Sequence, residues 1–183
     1  MAQVFISFIH EEEPYASCIQ TFLQSALGFQ VKAFLSADKW TIYAGELWLD
    51  RIVRELREAK VVIAMLSPES VKRPWVNFES GAAYIKEDCN LIPVCFNGLP
   101  KGELPHPYSS LQAVDLMNPE DQYYLIRSVA HYLEMPDPPS PFYQPVESLF
   151  DETYVDLRPV FASLKRCLET ADLLTRAKEF IKS

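Results

Sequence analysis

The chain has no run of basic residues, no CxxC pair and no apolar stretch long enough to cross a bilayer, and each absence narrows what it does. Its 17 Lys and Arg stand against 25 Asp and Glu, a formal net charge of -8 over 183 residues. Recognition of a phosphate backbone needs clustered cations, so the balance argues against nucleic-acid binding by the chain as a whole. The four cysteines, Cys18, Cys89, Cys95 and Cys167, show no pairing pattern and no metal-type spacing with the three histidines. They read as free, mostly buried thiols of a reducing compartment, and no metal is expected. The N-terminus enters an apolar stretch, QVFISF, with no basic leader or cleavage site before it. With no spanning segment either, the expected location is cytoplasmic and no membrane contact is expected, unless a transmembrane partner chain carries the protein elsewhere.

What is present is a globular composition, 49% apolar and 23% charged. Strand-like and helix-like runs alternate. Val4 to Phe8 is short and apolar, as suits a strand buried on both faces. Residues 12–27 carry apolar side chains at 15, 19, 22, 23, 26 and 27, an amphipathic helical stripe that Gly28 ends. Val31 to Leu35 is a second strand, followed by a polar loop, SADKWTIYAGE. Residues 46–59 are helical, with Trp48, Leu49, Ile52, Val53 and Leu56 on one side. KVVIAMLS is a third strand, 74–86 a third helix, and NLIPVCF a fourth strand in which Pro93 suggests a bend or an unpaired position. A Pro/Gly loop over 97–110 leads to a weak fifth strand, LQAVDL, and a helix over 120–134. This pattern predicts an α/β domain: a flavodoxin-like parallel sheet of five strands in the order 2-1-3-4-5, with helices on both faces.

After Met135 the composition changes. PDPPSPFYQP reads as an extended linker, which divides the chain into a domain over 1–135 and an appendage over 136–183. In that appendage Leu157, Phe161, Leu164, Leu168 and Ala171 form a narrow seam on a helix over 157–181. The seam needs a cover: its own core domain, a second copy of the chain in a dimer, or a separate partner.

In an open parallel sheet, ligands bind beyond the carboxyl ends of the strands, where the strand order reverses. Here that place lies between strands 1 and 3. The segments facing it are Ile9-His10-Glu11-Glu12, and Ser67-Pro68-Glu69 leading into the helix RPWVNFESGAA. On that helix Trp75, Phe78, Ala82 and Ile85 are spaced as a buried stripe, and Glu79 lies one turn beyond Trp75 at the edge of the stripe. A carboxylate so placed is partly desolvated and its proton affinity is raised. The plain alternative is a solvated glutamate in the first turns of a helix. Ser7 and Phe8 close strand 1 at the same place and, with His10, are candidates for contact with a ligand; a plain loop histidine is the alternative for His10. The HEEE stretch reads as a solvated helix start. His106 and His131 read as structural or exposed, and Trp48 as core.

Four blocks in order, VFISF, AGELWLDRI, AKVVIAMLSPESVKRPWVNFESGAA and LIPV, resemble the Toll/interleukin receptor (TIR) domain, particularly its bacterial branch. The resemblance runs from about Gln3 to Leu133. It implies cleavage of NAD between nicotinamide and ribose, giving ADP-ribose or a cyclic isomer of it, with NAD as substrate rather than cofactor. It places the catalytic glutamate of a WxxxE motif on Glu79, and on Trp75 the tryptophan that stacks on or shapes the substrate. Residues 36–46 correspond to the BB loop, which in the family mediates self-association and gates the site; Asp38, Gly45 and Glu46 carry that match. Trp40 in this loop is a lid over the site or an assembly contact, and Gly45 is a further binding candidate. The chain departs from the family after Ser7, where relatives carry a polar stretch ending in Asp and this sequence has Phe8-Ile9-His10-Glu11. The resemblance also implies a role in anti-phage defence. Two other readings stand beside it: a non-catalytic adaptor acting through TIR-TIR contacts, and a nucleoside N-glycosidase or deoxyribosyltransferase sharing the same charge logic.

Overall fold

The computed structural model describes residues 3–36, 48–142 and 155–182. Five parallel strands form one sheet: β1 Val4–Ser7, β2 Ala33–Leu35, β3 Val61–Leu66, β4 Asn90–Cys95 and β5 Val114–Asp115. Their order is β2-β1-β3-β4-β5, as the alternating pattern predicts. The helices are α1 Glu13–Leu27, α2 Trp48–Glu58, α3 Pro74–Tyr84, α4 Pro119–Tyr132 and α5 Arg158–Lys182. Gly28 ends α1 with φ of +94°, a conformation that L side chains rarely adopt. Asn118 caps α4, its side chain accepting from the amides of Glu120 and Asp121.

Both faces of the sheet are buried, and the period of two assigns each residue to a face. Val4, Ile6, Val61, Ile63 and Met65 pack with α1 and α4. Phe5 and Val62 pack with Ile52 and Leu56 of α2 and Ala83 of α3, while Ala64 and Leu66 pack with Val76 of α3. Pro93 is accommodated inside β4, whose pairing with β3 continues through it, opposite Ala64. Phe96 donates its amide to Leu66 on the β3 side, and Cys95 accepts from Leu116 on the β5 side. Alternation therefore turns Pro93 toward β5, whose pairing begins only at Val94, so no ladder bond is lost there.

Three expectations are corrected. First, the buried face of α3 is Val76, Glu79, Ser80 and Ala83. Phe78 is 51% exposed and Ile85 82%, so two members of the predicted stripe point outward. Small residues, Ser80 and Ala83, let the helix lie close to the sheet, and apolar side chains on all its sides gave periodicity no single face to mark. On α2, Leu49 is likewise exposed, while Ile52 and Leu56 are buried. Second, Cys18 and Cys167 are joined in a disulfide across 149 residues, with a Cα–Cα distance of 5.8 Å. Only Cys89 and Cys95 are free. Third, Glu12 is not a solvated helix start but is 95% buried, as its relative exposure of 5% shows.

The cover of the C-terminal seam is α1 of the same chain. Leu157, Leu164, Leu168 and Ala171 are all buried in the main core, and the Phe161 ring meets Phe22 edge-on at 5.1 Å between centroids. Each fully buried leucine there contributes about 2 kcal/mol of apolar transfer. The disulfide clamps the same α1–α5 contact. Among the described residues, no helix is long and apolar enough to cross a membrane.

Candidate functional site

The site is built at the carboxyl ends of β1 and β3. Ser7 has the same parity as Phe5, so it faces the layer of α2 and α3. There its hydroxyl donates to Oε2 of Glu79 at 2.5 Å, a contact between residues 72 apart in sequence. Ser7 and Glu79 both have no exposed surface. Burial pushes the Glu79 carboxyl up to about 7, and the nearby polar groups of Ser7, Trp75 and Ser36 draw it back in that order. Oε1 has no hydrogen-bond partner of ordinary geometry among the described residues. Glu79 thus sits well inside the buried face of α3 rather than at its edge, one turn after a half-buried Trp75 whose ring stacks on Phe78 at 5.3 Å.

Near this carboxyl lies a cavity of about 480 Å³, lined among others by Phe8, His10, Glu11, Ser36, Arg73 and Trp75; Glu79 does not itself reach the lining but lies behind Ser36 and Trp75, which neighbour it. Phe8 is buried with an edge on the cavity, and His10 is exposed at its mouth, 3.6 Å from Glu13. Five predicted positions, Ser7, Phe8, His10, Trp75 and Glu79, are therefore gathered at one place. Trp40, Gly45 and all of the 36–46 loop except Ser36 lie outside the described residues. His106 takes part in a contact with the Ser109 hydroxyl, and His131 stacks edge-on against Tyr132, both away from the cavity.

A second arrangement mirrors the first across the switch point. Ser67, just after β3, has the parity of Met65 and faces α1; its hydroxyl donates to Oε1 of Glu12. Ser67 in turn accepts from the amides of Glu69 and Ser70, which fixes its position. Burial raises the Glu12 carboxyl to about 7 as well, against the pull of Ser67 and Ser70. Glu12 borders a separate cavity of about 290 Å³ with Tyr15, Asn97, Thr175 and Lys178. A third cavity, about 470 Å³ and mostly apolar, lies between the start of α4 and α5, at Gln122, Phe142, Phe161 and Lys165. It has no buried carboxyl in its lining and shares no lining residue with the cavity near Glu79.

Sequence reasoning missed Glu12, Ser36 and Arg73. Position alone offered a signal for the last two: Ser36 directly follows β2, and Arg73 directly precedes α3 at the same sheet edge. Glu12 stood in the HEEE run, where three adjacent carboxylates look equivalent until the strands are placed. Among the described residues, no cluster of His, Cys, Asp and Glu could hold a metal ion.

Comparison with known proteins agrees with this architecture. Residues 4–127 match the pattern of the family described as "TIR domain", well over half of the chain, and the protein belongs to that family. No curated protein is detectably similar in sequence. Among solved structures, the fold is similar to a metazoan TIR-STING receptor from C. gigas, with a TM-score of 0.52 and 23% identity over 71% of this chain and 40% of that one. The same receptor in complex with 2',3'-cGAMP gives a TM-score of 0.50 and 24% identity over 73% of this chain and 39% of that one. The chain thus spans about two fifths of the receptor's length, and the likeness concerns the fold alone.

Proposed function

We propose that the protein cleaves NAD at the nicotinamide–ribose bond, as enzymatic bacterial TIR domains do, with Glu79 as the catalytic carboxylate. The observation that carries this reading is Glu79 itself. It is a glutamate with no exposed surface and a raised proton affinity, anchored through Oε2 by Ser7 and neighboured by Trp75 and Ser36, which line a cavity of nucleotide-binding size.

The chemistry needs no more acid than this. When the glycosidic C–N bond breaks, both electrons go to the pyridinium nitrogen, so nicotinamide leaves neutral and no proton donor is required. One carboxylate then suffices where ordinary glycosidases use a pair. Ionised Glu79 binds the ribose hydroxyls and stabilises the positive charge at the anomeric carbon. Water adds to that carbon and loses a proton, giving ADP-ribose; attack by the adenine end instead gives a cyclic isomer. Such charge stabilisation is worth about 3 kcal/mol, roughly a hundredfold in rate. Trp75 supplies a flat wall that orients the departing ring. In this reading Arg73, which is ion-paired with Glu69, and His10, on the same cavity, meet the diphosphate. In this reading the product serves anti-phage defence, either through NAD depletion or as a signal.

A second reading, assembly through TIR-TIR contacts without catalysis, draws on the outward face of α3. Phe78, Tyr84 and Ile85 are each at least half exposed there. The two readings meet in one experiment. Concentrated protein and its Glu79→Ala variant are incubated with NAD and, separately, with nucleosides, and released bases are separated by chromatography. Nicotinamide release that is lost in the variant supports NAD cleavage. Base release from nucleosides alone replaces it with a nucleoside N-glycosidase. No turnover by self-associated protein leaves the adaptor.

A further inference from the structure

We propose that Ser7 is a positioning residue for Glu79: its hydroxyl, fixed at the end of β1, anchors Oε2 and so sets the orientation of the buried carboxylate behind the cavity wall. This rests on the NAD-cleavage reading for its catalytic consequence, but not for its physical content. Neither the hydroxyl nor Glu79 has exposed surface, so the pair as described is set back from the cavity, although the place of Ser7 at the end of β1 suggested direct contact. Ser7 comes from a strand buried on both faces, paired with Ala64 of β3, and so is held more rigidly than any loop donor.

The consequence is a bias toward the charged form. With Ser7 donating to Oε2, removing the hydroxyl takes away a hydrogen bond made to the carboxylate. Ser7 also opposes the burial that raises the proton affinity, because a donated hydrogen bond favours the charged form. The elements packed on α3 bring the Arg51–Glu55 ion pair and Glu58 of α2, Lys72 of the preceding 3-10 turn, Cys95 of β4 and Tyr108 of the loop before β5. Tyr108 registers the charge of Glu79, and its hydroxyl donates to Asn77 Oδ1 at 2.9 Å.

The test uses the full chain with ¹³C-labelled glutamate carboxyls. Glu79 is assigned by its loss in Glu79→Gln, and its titration is followed by NMR in wild type, Ser7→Ala and Ser7→Cys. Ser7→Ala is expected to raise the proton affinity of Glu79 about tenfold, moving the titration up by about one pH unit, with the weakly donating thiol in between. The acid limb of the NAD-cleavage pH profile should move by the same amount, with kcat at pH 7 falling and KM nearly unchanged. An unshifted Glu79 titration in both variants overturns the proposal, whatever the activity does. A shifted titration with a pH profile that stays in place overturns the catalytic part. A shifted titration in a protein that turns over no NAD upholds the anchoring and sinks the reading of function instead. Where Ser7→Ala loses its dispersed spectrum, Ser7→Cys carries the comparison alone.

Discussion

Replacing Glu79 by glutamine should make the protein more stable above neutral pH and leave it unchanged in acid. The side chain keeps its shape while the ionisable group disappears from a site with no exposed surface. The carboxyl titrates at about 7 in the fold and at about 4.5 when the chain is unfolded. Below pH 4.5 both states carry the proton, and the native state bears no ionisation cost. Between 4.5 and about 7 the native state alone retains it, so stability falls as pH rises. Above about 7 both states are ionised and the loss is complete. Displacement of this size corresponds to about 3 kcal/mol, a large share of the stability of an ordinary domain. Urea unfolding at pH 4.5, 6 and 8, followed by circular dichroism with the disulfide intact, measures it. Glu79→Gln should unfold at a higher urea midpoint than wild type at pH 8, at the same midpoint at pH 4.5, and with an unchanged slope. Parallel pH profiles for the two proteins would refute the claim that Glu79 is buried at an energetic cost. A destabilised variant at pH 8 would refute it more sharply, showing a carboxylate that the fold prefers ionised.

Glu12→Gln should act with the same sign in the same pH window, since burial raises that carboxyl to about 7 too, and the double variant should flatten the wild-type profile further. Reduction of Cys18–Cys167, or Cys18→Ser, should cost about 2–4 kcal/mol by urea unfolding, because the bridge closes a long loop of the unfolded chain; an unchanged midpoint under reductant would show that α5 is held by packing alone. Leu168→Ala, 2% exposed between α5 and α1, should cost about 3 kcal/mol, whereas Leu173→Ala, 66% exposed on the same helix, should stay within about 0.5 kcal/mol; equal losses would mean that α5 is rotated from the orientation described. Trp75→Ala should raise KM for NAD and slow turnover more than Trp75→Phe, by comparison of steady-state kinetics.

Much of this architecture is a local property of the chain. Each strand is a short apolar run, each junction a polar or proline-bearing stretch, and right-handed crossovers leave few ways to join five such strands. The sheet order, the helix sequence and the identity of Glu79 as the residue to examine were therefore readable without coordinates. The WxxxE spacing and the topological rule pointed to Glu79 independently. The facing of the C-terminal seam was readable too: Leu157, just before α5, and Leu164, Leu168 and Ala171 on it are buried, with Phe161 of the same seam partly buried.

Tertiary structure decided what depends on pairs distant in sequence. The rotation of α3 placed Glu79 at the centre of a buried face and turned Phe78 and Ile85 outward, because shape at the sheet surface, not periodicity, selects among apolar sides. The Cys18–Cys167 bridge follows from the docking of α5 on α1, which no spacing encodes. The crossed pairs Ser7–Glu79 and Ser67–Glu12 arise only when β1 and β3 lie side by side, each offering its end serine to the other strand's helix. Residue types along the chain set which groups are able to ionise. Their proton affinities are set by how much water the assembled fold removes from around them, a quantity that exists only in three dimensions.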